Sequence, residues 1–135
     1  MNELPPPTAA VPGPGTGWFL DLCGPLTVTG PTARANLRMP DAVPAHADRL
    51  IAAEALHQIA CRLASQVRGA QRAVPAKVVE LRGHPQPDGE DHWRSGGAVL
   101  EARVVRSGRL STVEARLAHH GRNVYSASVC TQEVA

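Results

Sequence analysis

The sequence predicts an α+β fold in which one long central helix packs against an antiparallel β-sheet. The helix is indicated by residues 48–67, which contain no Gly or Pro and are dense in Ala, Leu and Ile. Beyond Gly69, segments with strand-like alternation of apolar and polar residues follow one another without a second helical stretch. This order is typical of α+β proteins, whereas a doubly wound sheet needs helices between its strands.

Length and composition favour a single folded domain. The chain has 135 residues, of which 43% are hydrophobic, enough for one core of ordinary size. Residues 1–16 are rich in Pro and Gly, which predicts a flexible tail. The domain is therefore expected to span residues 17–135, with ordered structure beginning near Trp18. Because aromatic residues make up only 3% of the chain, we expect a core of Ala, Val, Leu and Ile without aromatic side chains.

Composition disfavours several classes of partner and location. The net charge is only +2, the arginines are scattered and aromatic residues are scarce, which argues against nucleic-acid binding. No apolar run reaches the roughly 18–20 residues of a membrane span, and the N-terminus lacks the pattern of a secretion signal. Three widely spaced cysteines without a CxxC pair argue against a disulfide framework, so a reducing cytoplasm is expected.

Cofactor and metal motifs are not evident in the sequence. It contains no nucleophile elbow, P-loop or dinucleotide fingerprint, so no cofactor is expected. Glu54 and His57 have the spacing of a metal-ligand pair on one helix face. A carboxylate-bridged metal site would need a second such helix, so no metal site is expected either.

The remaining elements follow from turn residues and alternation. Asp48 is a candidate N-cap of the helix and Gly69 a candidate terminator. The predicted strands are residues 26–29, 33–39, 76–81, 98–106, 110–119 and 124–134. A polar loop over residues 83–97 and a hairpin turn at Ser107-Gly108 separate the later strands.

The central helix has two unequal faces. Placing its residues 100° apart gives a broad apolar arc of Ala52, Ala53, Leu56, Ile59, Ala60, Leu63 and Val67. Opposite this arc lies a narrow polar stripe of Glu54, Gln58 and Ser65, bordered by apolar residues. A solvated face would normally carry Lys and several acidic residues. The stripe therefore indicates a sparse polar site, with an ordinary solvated face as the alternative.

Glu54 is the leading candidate for a catalytic residue. A carboxylate among apolar side chains is costly to ionise, which suits a general acid or base. The alternative is a half-exposed glutamate paired with Arg62 or with an arginine of a strand. Gln58 lies one turn further along, and His46 precedes the helix, where an imidazole could reach a substrate carbonyl. An exposed loop histidine is the alternative for His46. His57 is a candidate substrate contact, with a helix-surface or interface position as its alternative.

Two regions resemble the hotdog superfamily, in which a sheet wraps around one long helix. VLEARVVRSGRLSTVEARLAHHGRNVYSASVCTQEV, residues 99–134, is similar to the last three strands of phenylacetate-pathway-type thioesterases. EALHQ, residues 54–58, is similar to the Glu-Ala-Leu-Ala-Gln helix of β-hydroxyacyl-ACP dehydratases. The eight-residue gap from His46 to Glu54 also resembles the spacing in A-factor-type synthases. The degenerate motifs favour the fold more strongly than any one family.

The resemblance implies a substrate class and an assembly. The substrate would be an acyl thioester carried by coenzyme A or an acyl carrier protein. The chain would form a homodimer, or a higher oligomer, with two sheets joined edge to edge and the acyl chain between subunits. Arg106 and Arg109 flank the Ser-Gly turn and are candidates for contacts with the carrier's phosphates, since arginine binds phosphate in bidentate geometry.

Three functions remain open at this point. The favoured one is thioester hydrolysis, with Glu54 as general base or nucleophile and the helix N-terminus, His46 or Gln58 stabilising the oxyanion. The second is dehydration or hydration of a β-hydroxyacyl or enoyl thioester, with His46 and Glu54 as acid and base. The third is a catalytically silent partner subunit. Neither family's catalytic set is complete: Pro40 stands where the dehydratases carry histidine, and the thioesterases' His-Gly-Gly is His-Ala-Asp here.

Overall fold

The computed structural model describes residues 21–40, 44–68, 76–86, 92–106 and 110–132. In these residues, helix α1 (Asp48–Arg68) packs on one face of a six-stranded antiparallel sheet. The predicted α+β fold is confirmed, and a single helix packed on an antiparallel sheet is the architecture of the hotdog fold. No helix in the described ranges is long and apolar enough to cross a membrane.

The sheet brings the first strand after the helix next to the last strand of the chain. Its strands are β1 (Thr27–Thr29), β2 (Thr32–Asn36), β3 (Ala76–Gly83), β4 (Val99–Arg106), β5 (Leu110–His119) and β6 (Arg122–Gln132). Their order across the sheet is β1-β2-β4-β5-β6-β3, so β3 lies at one edge and β1 at the other. Two short 3-10 helices precede α1 and β4, at Ala45–Ala47 and His92–Ser95.

The predicted helix and most predicted strands match the structure closely. The helix bounds differ by one residue, and β5 has the predicted bounds. Asp48 is the first residue of α1 and directly follows a 3-10 turn, so it lies inside the helix and not at the N-cap. The predicted tail, Trp18, Gly69, the Ser107-Gly108 turn and residues 133–134 lie outside the described residues.

The first two strands are shorter than predicted because the chain beside them continues without regular pairing. After β2 ends at Asn36, Leu37 forms an isolated bridge with Cys23. Backbone hydrogen bonds from Gly24 N to Asn36 O (2.9 Å) and from Arg38 N to Leu22 O (2.8 Å) flank that bridge. The chain before β1 therefore runs along β2 and extends the edge of the sheet.

Small side chains form the centre of the sheet face that contacts α1. Four alanines are register partners across β2, β4, β5 and β6, and all are buried: Ala33, Ala102, Ala115 and Ala127. Larger residues of the helix, Leu56, Ile59 and Leu63, are fully buried. An alanine row allows the helix backbone to approach closely while larger leucine and valine side chains fill the space on both sides.

Two expectations about the core are wrong. Val67 was assigned to the apolar arc, but it lies in the last turn of α1 and is 45% exposed, so the buried stripe ends near Ala64. The core also contains an aromatic residue, since Trp93 is 1% exposed. Its ring meets that of Tyr125 edge-on, with centroids 6.1 Å apart and an interplanar angle of 79°. The 3-10 turn before β4 carries this residue of the predicted polar loop into the core.

The different burial of Leu63 and Val67 provides a test of the helix orientation. We expect Leu63→Ala to lower the free energy of unfolding by about 2–5 kcal/mol, because it opens a cavity in the core. The matched change Val67→Ala on the exposed flank should alter it by no more than about 0.5 kcal/mol. Urea unfolding of both variants measures the difference, and equal losses would contradict this orientation of α1.

Candidate active site

The Glu54 carboxylate is held in place by its neighbour one helical turn further on. Glu54 is half-buried on the second turn of α1. Its Oε2 accepts a hydrogen bond of 3.2 Å from Gln58 Nε2. Residues four apart lie on the same helix face, so the sequence spacing alone brings the two side chains together. Two members of the predicted polar stripe, Glu54 and Gln58, are therefore hydrogen-bonded to each other.

The orientation of the Gln58 amide is determined by a main-chain donor. Gln58 is fully buried, and its Oε1 accepts a 3.0 Å hydrogen bond from the backbone N–H of Leu22. An N–H group can only donate, so the carbonyl side of the amide must face Leu22 and the NH₂ side must face Glu54. The direction of the bond to Glu54 is therefore fixed, and a buried amide in this position orients the carboxylate.

A segment that we call the strap, Asp21–Gly24, supplies that main-chain donor. Arg62 ties the strap to the helix: its Nη1 donates to Cys23 O at 2.8 Å, and its Nη2 pairs with Asp21 Oδ1 at 3.1 Å. Asp21 Oδ2 also pairs with Arg38 Nη1 at 2.9 Å. Bonds from both the helix and the chain after β2 therefore hold the strap in register with Gln58.

His57 and Cys61 form a second pair on the same side of α1. Cys61 Sγ lies 3.7 Å from His57 Nε2. Burial raises the pKa of the Cys61 thiol to about 12, and the negative charge of Glu54 adds to this shift. Burial likewise raises the pKa of the Cys23 thiol, to about 11. Because a thiol is a nucleophile only after ionisation, neither cysteine is suited to attack a carbonyl at neutral pH.

Arginines join the start of α1 to the 3-10 helix before β4 and to strand β3. Arg94, just before β4, pairs with Asp48 Oδ1 at 3.0 Å and donates to Pro44 O at 3.3 Å. Arg49 donates to Leu81 O on β3 at 3.0 Å. His46 lies in the preceding 3-10 turn and is exposed. Among the described residues there is no hydrogen bond between His46 and Glu54. The structure therefore shows no direct bond between these two candidate catalytic residues.

Arg106, one of the two predicted phosphate contacts, lies away from the start of α1. Arg106 is the last residue of β4 and is exposed. The segment leading into the other end of β4 contacts the start of α1 through Arg94. Eight strand residues at about 3.3 Å each separate the two ends by roughly 20 Å or more. Arg109 lies outside the described residues.

Sequence reasoning missed the residues that position the site. Arg62 lies one turn after Gln58 on the same helix flank, so helical spacing could have identified it as a member of the polar stripe. Nothing in the sequence marked the Leu22 N–H, because a backbone donor carries no residue signature. Across the described ranges, no group of three or more His, Cys, Asp and Glu side chains is arranged to hold a metal ion.

Comparisons with known proteins find a likeness in fold and none in sequence family. No protein-family model matches the chain, and no curated protein matches it. One similar solved structure is a protein from Syntrophus aciditrophicus described as a putative thioesterase. It shares 13% sequence identity with this chain, covers 82% of each chain and has a TM-score of 0.47. Likeness at this level does not assign an activity, so the activity is inferred from this chain's own residues.

The buried Gln58 amide should matter for stability as well as geometry. We expect Gln58→Met, which keeps the approximate size of the side chain, to lower the free energy of unfolding by about 1–3 kcal/mol. The reason is that the buried Leu22 N–H loses its acceptor. Gln66→Met on the exposed part of the same helix is the matched control and should change stability little. Urea unfolding measures both, and equal effects would argue against the Leu22–Gln58 bond.

The two buried thiols predict a loss of stability in alkali. Their pKa values in the folded protein are raised from 9.0, so above this pH the unfolded chain ionises first and unfolding is favoured. The contribution of the two neutral thiols to the free energy of unfolding is fully present below pH 9.0. It declines as the pH rises toward about 11 for Cys23 and about 12 for Cys61. We expect Cys23→Ala/Cys61→Ala to show a shallower fall in unfolding free energy over this range, with Cys130→Ala as control. An unchanged slope in the double variant would contradict the prediction.

Proposed function

We propose that the protein hydrolyses an acyl thioester, with Glu54 as the general base or the nucleophile. The observation that carries this proposal is the half-buried Glu54 carboxylate, oriented by a fully buried amide whose own direction is fixed by Leu22 N–H. Holding a reactive group in one geometry lowers the entropic cost of reaching the transition state. A surface glutamate without a catalytic task would not need this support.

In the general-base route, Glu54 accepts a proton from a water molecule as the water oxygen attacks the thioester carbonyl carbon. The carbonyl oxygen becomes an oxyanion, and the tetrahedral intermediate then collapses with cleavage of the C–S bond. The proton held by Glu54 passes to the departing thiolate, which leaves a carboxylic acid and a free thiol. In the nucleophilic route, a Glu54 oxygen attacks the carbonyl carbon and the C–S bond breaks, which releases the thiolate and leaves an anhydride. Water then cleaves the anhydride, which restores the Glu54 carboxylate and releases the carboxylic acid, and the remaining proton of the water passes to the thiolate.

The start of α1 is the group best suited to stabilise the oxyanion. Together with the 3-10 turn Ala45–Ala47 that leads into it, its first turn directs N–H groups and the positive end of the helix dipole toward the N-terminus. Side chains on a helix lean toward the N-terminus, so the Glu54 carboxylate is directed toward this end. His46 is close to the same end of α1 and remains a candidate for assisting the carbonyl oxygen.

The substrate is proposed to be an acyl group on coenzyme A or on an acyl carrier protein. Arg106 and Arg109 remain candidates for contacts with phosphates of the carrier, and His57 for a contact with the substrate near Glu54. A homodimer joined along β3 fits this proposal. That strand is an edge strand of the sheet, and its bulge residue Val79 is 65% exposed, a feature that pairing with a second copy would cover.

The decisive variant is Glu54→Gln, which keeps the size and the hydrogen-bonding position while removing the base. We expect kcat for thioester hydrolysis to fall by about 10²-fold or more, measured as thiol release from a panel of acyl-CoA substrates. Glu80→Gln, on the exposed face of β3, is the matched control and should retain wild-type kcat. Retention of full activity by Glu54→Gln would exclude this mechanism.

Intact-mass measurement on acylated carrier protein separates the alternatives. Loss of the acyl group supports hydrolysis. Loss or gain of one water with the acyl group retained would instead show dehydration or hydration, with Glu54 and His46 as acid and base. Unchanged thioesters throughout the panel, together with co-purification of a second hotdog chain, would indicate a catalytically silent subunit.

A further inference from the structure

The face of the sheet opposite α1 carries charges in a regular pattern. On β4, Glu101 and Arg103 lie two residues apart and therefore on the same face. Their register partners on β5 are Arg116 and Glu114, respectively. We call these four residues the charge square: a glutamate and an arginine on β4 opposite an arginine and a glutamate on β5. Each corner is next to two corners of the opposite sign.

The square lies in an open part of the surface. It lines a groove of about 690 Å³, together with hydroxyl and amide side chains such as Thr32, Asn123 and Ser126. Arg103, Glu114 and Arg116 are exposed, and Glu101 is half-buried. Glu54 lies on α1, on the other side of the sheet. The proposed phosphate contact Arg106 is on this side, since its register partner Thr112 is two residues from Glu114, but it is not a corner of the square.

Only half of the square is paired within the chain. Arg116 contacts Glu101 at 2.6 Å, and Arg34 approaches the same carboxylate at 4.0 Å. Glu114 accepts a hydrogen bond of 2.8 Å from Ser128 Oγ. Among the described residues, no ion pair joins Arg103 to Glu114, so one positive and one negative corner remain available for a partner.

The alternating signs make the square complementary to itself. Two copies can meet face to face around a two-fold axis that lies in the contact plane. An axis along the strands exchanges the two strands of the square, and an axis across the strands exchanges its two rows. In both cases each corner lies over a neighbouring corner of the other copy, and neighbouring corners always have opposite signs. A square with both arginines on one strand would be complementary for only one of these axes. Such an isologous contact is the commonest type in homo-oligomers.

We propose that this sheet face is an interface between two copies of the chain, with the charge square aligning them. The occupant is a second copy because the alternating pattern matches its own image. The square carries two charges of each sign, and the further charged residue among the described lining, Arg34, approaches Glu101 of the same copy. Isolated exposed ion pairs contribute little, so the contact is expected to be weak and sensitive to salt. The inference does not depend on the thioester chemistry.

Charge reversal tests the interface independently of the axis. Arg103→Glu/Arg116→Glu makes all four corners negative, and Glu101→Arg/Glu114→Arg makes all four positive. Each double variant should repel its own copies. The quadruple variant, which carries all four substitutions, inverts every sign, restores the alternation and keeps the wild-type net charge. It controls for damage by the individual substitutions, and circular dichroism confirms that each variant is folded.

Light scattering after size exclusion at about 0.1 M salt measures the masses over a series of protein concentrations. We expect the wild type and the quadruple variant to have twice the mass of either double variant. This ratio is the same whether or not the chains also pair along β3. The wild-type mass should also fall by half at about 1 M salt, where the Debye length shrinks to about 3 Å. Equal masses for wild type and double variants, no recovery in the quadruple variant, or a wild-type mass unaffected by salt would each overturn the proposal.

Discussion

The packing of α1 on the alanine row of the sheet determines where the candidate site residues lie. Four alanines in register allow the helix to pack close to the sheet. The leucines and isoleucine of α1 fill the space on either side. With its apolar arc committed to this contact, the polar stripe of α1 must lie on the flank. On that flank it meets the strap, which extends the edge of the sheet beside β2, and this is why a backbone N–H can reach Gln58.

The fold could be predicted well where a repeating pattern determines it. The helix was evident from its unbroken apolar density, and β5 from strict alternation, because burial on one face imposes a period on the sequence. The prediction was less accurate where main-chain bonds decide the outcome. The bridge between Cys23 and Leu37 shortens the first strands, and a 3-10 turn brings Trp93 into the core. Neither event has a periodic signature.

The candidate site was predictable only in part, for the same physical reason. Glu54 and Gln58 are four residues apart on one helix, so local geometry alone predicts that they are close. The partners that give the pair its orientation, Leu22 and Arg62 with Asp21, come together across about 40 residues of chain. Such contacts depend on the tertiary fold, and a single sequence without its relatives contains little information about them.

The order of strands in the sheet also has a consequence for how the chain reaches its folded state. β4, β5 and β6 are consecutive, so their pairing closes only short loops and can form early. The outer strands are expected to pair later. The residues that pair between β2 and β4 are about 70 positions apart in the sequence, and those that pair between β3 and β6 are about 50 apart. Closing long loops costs entropy before any contact compensates for it. The strap that orients Gln58 follows the same long connection, so a transient state with a formed hairpin core would still lack the hydrogen bonds that orient Gln58 and Glu54.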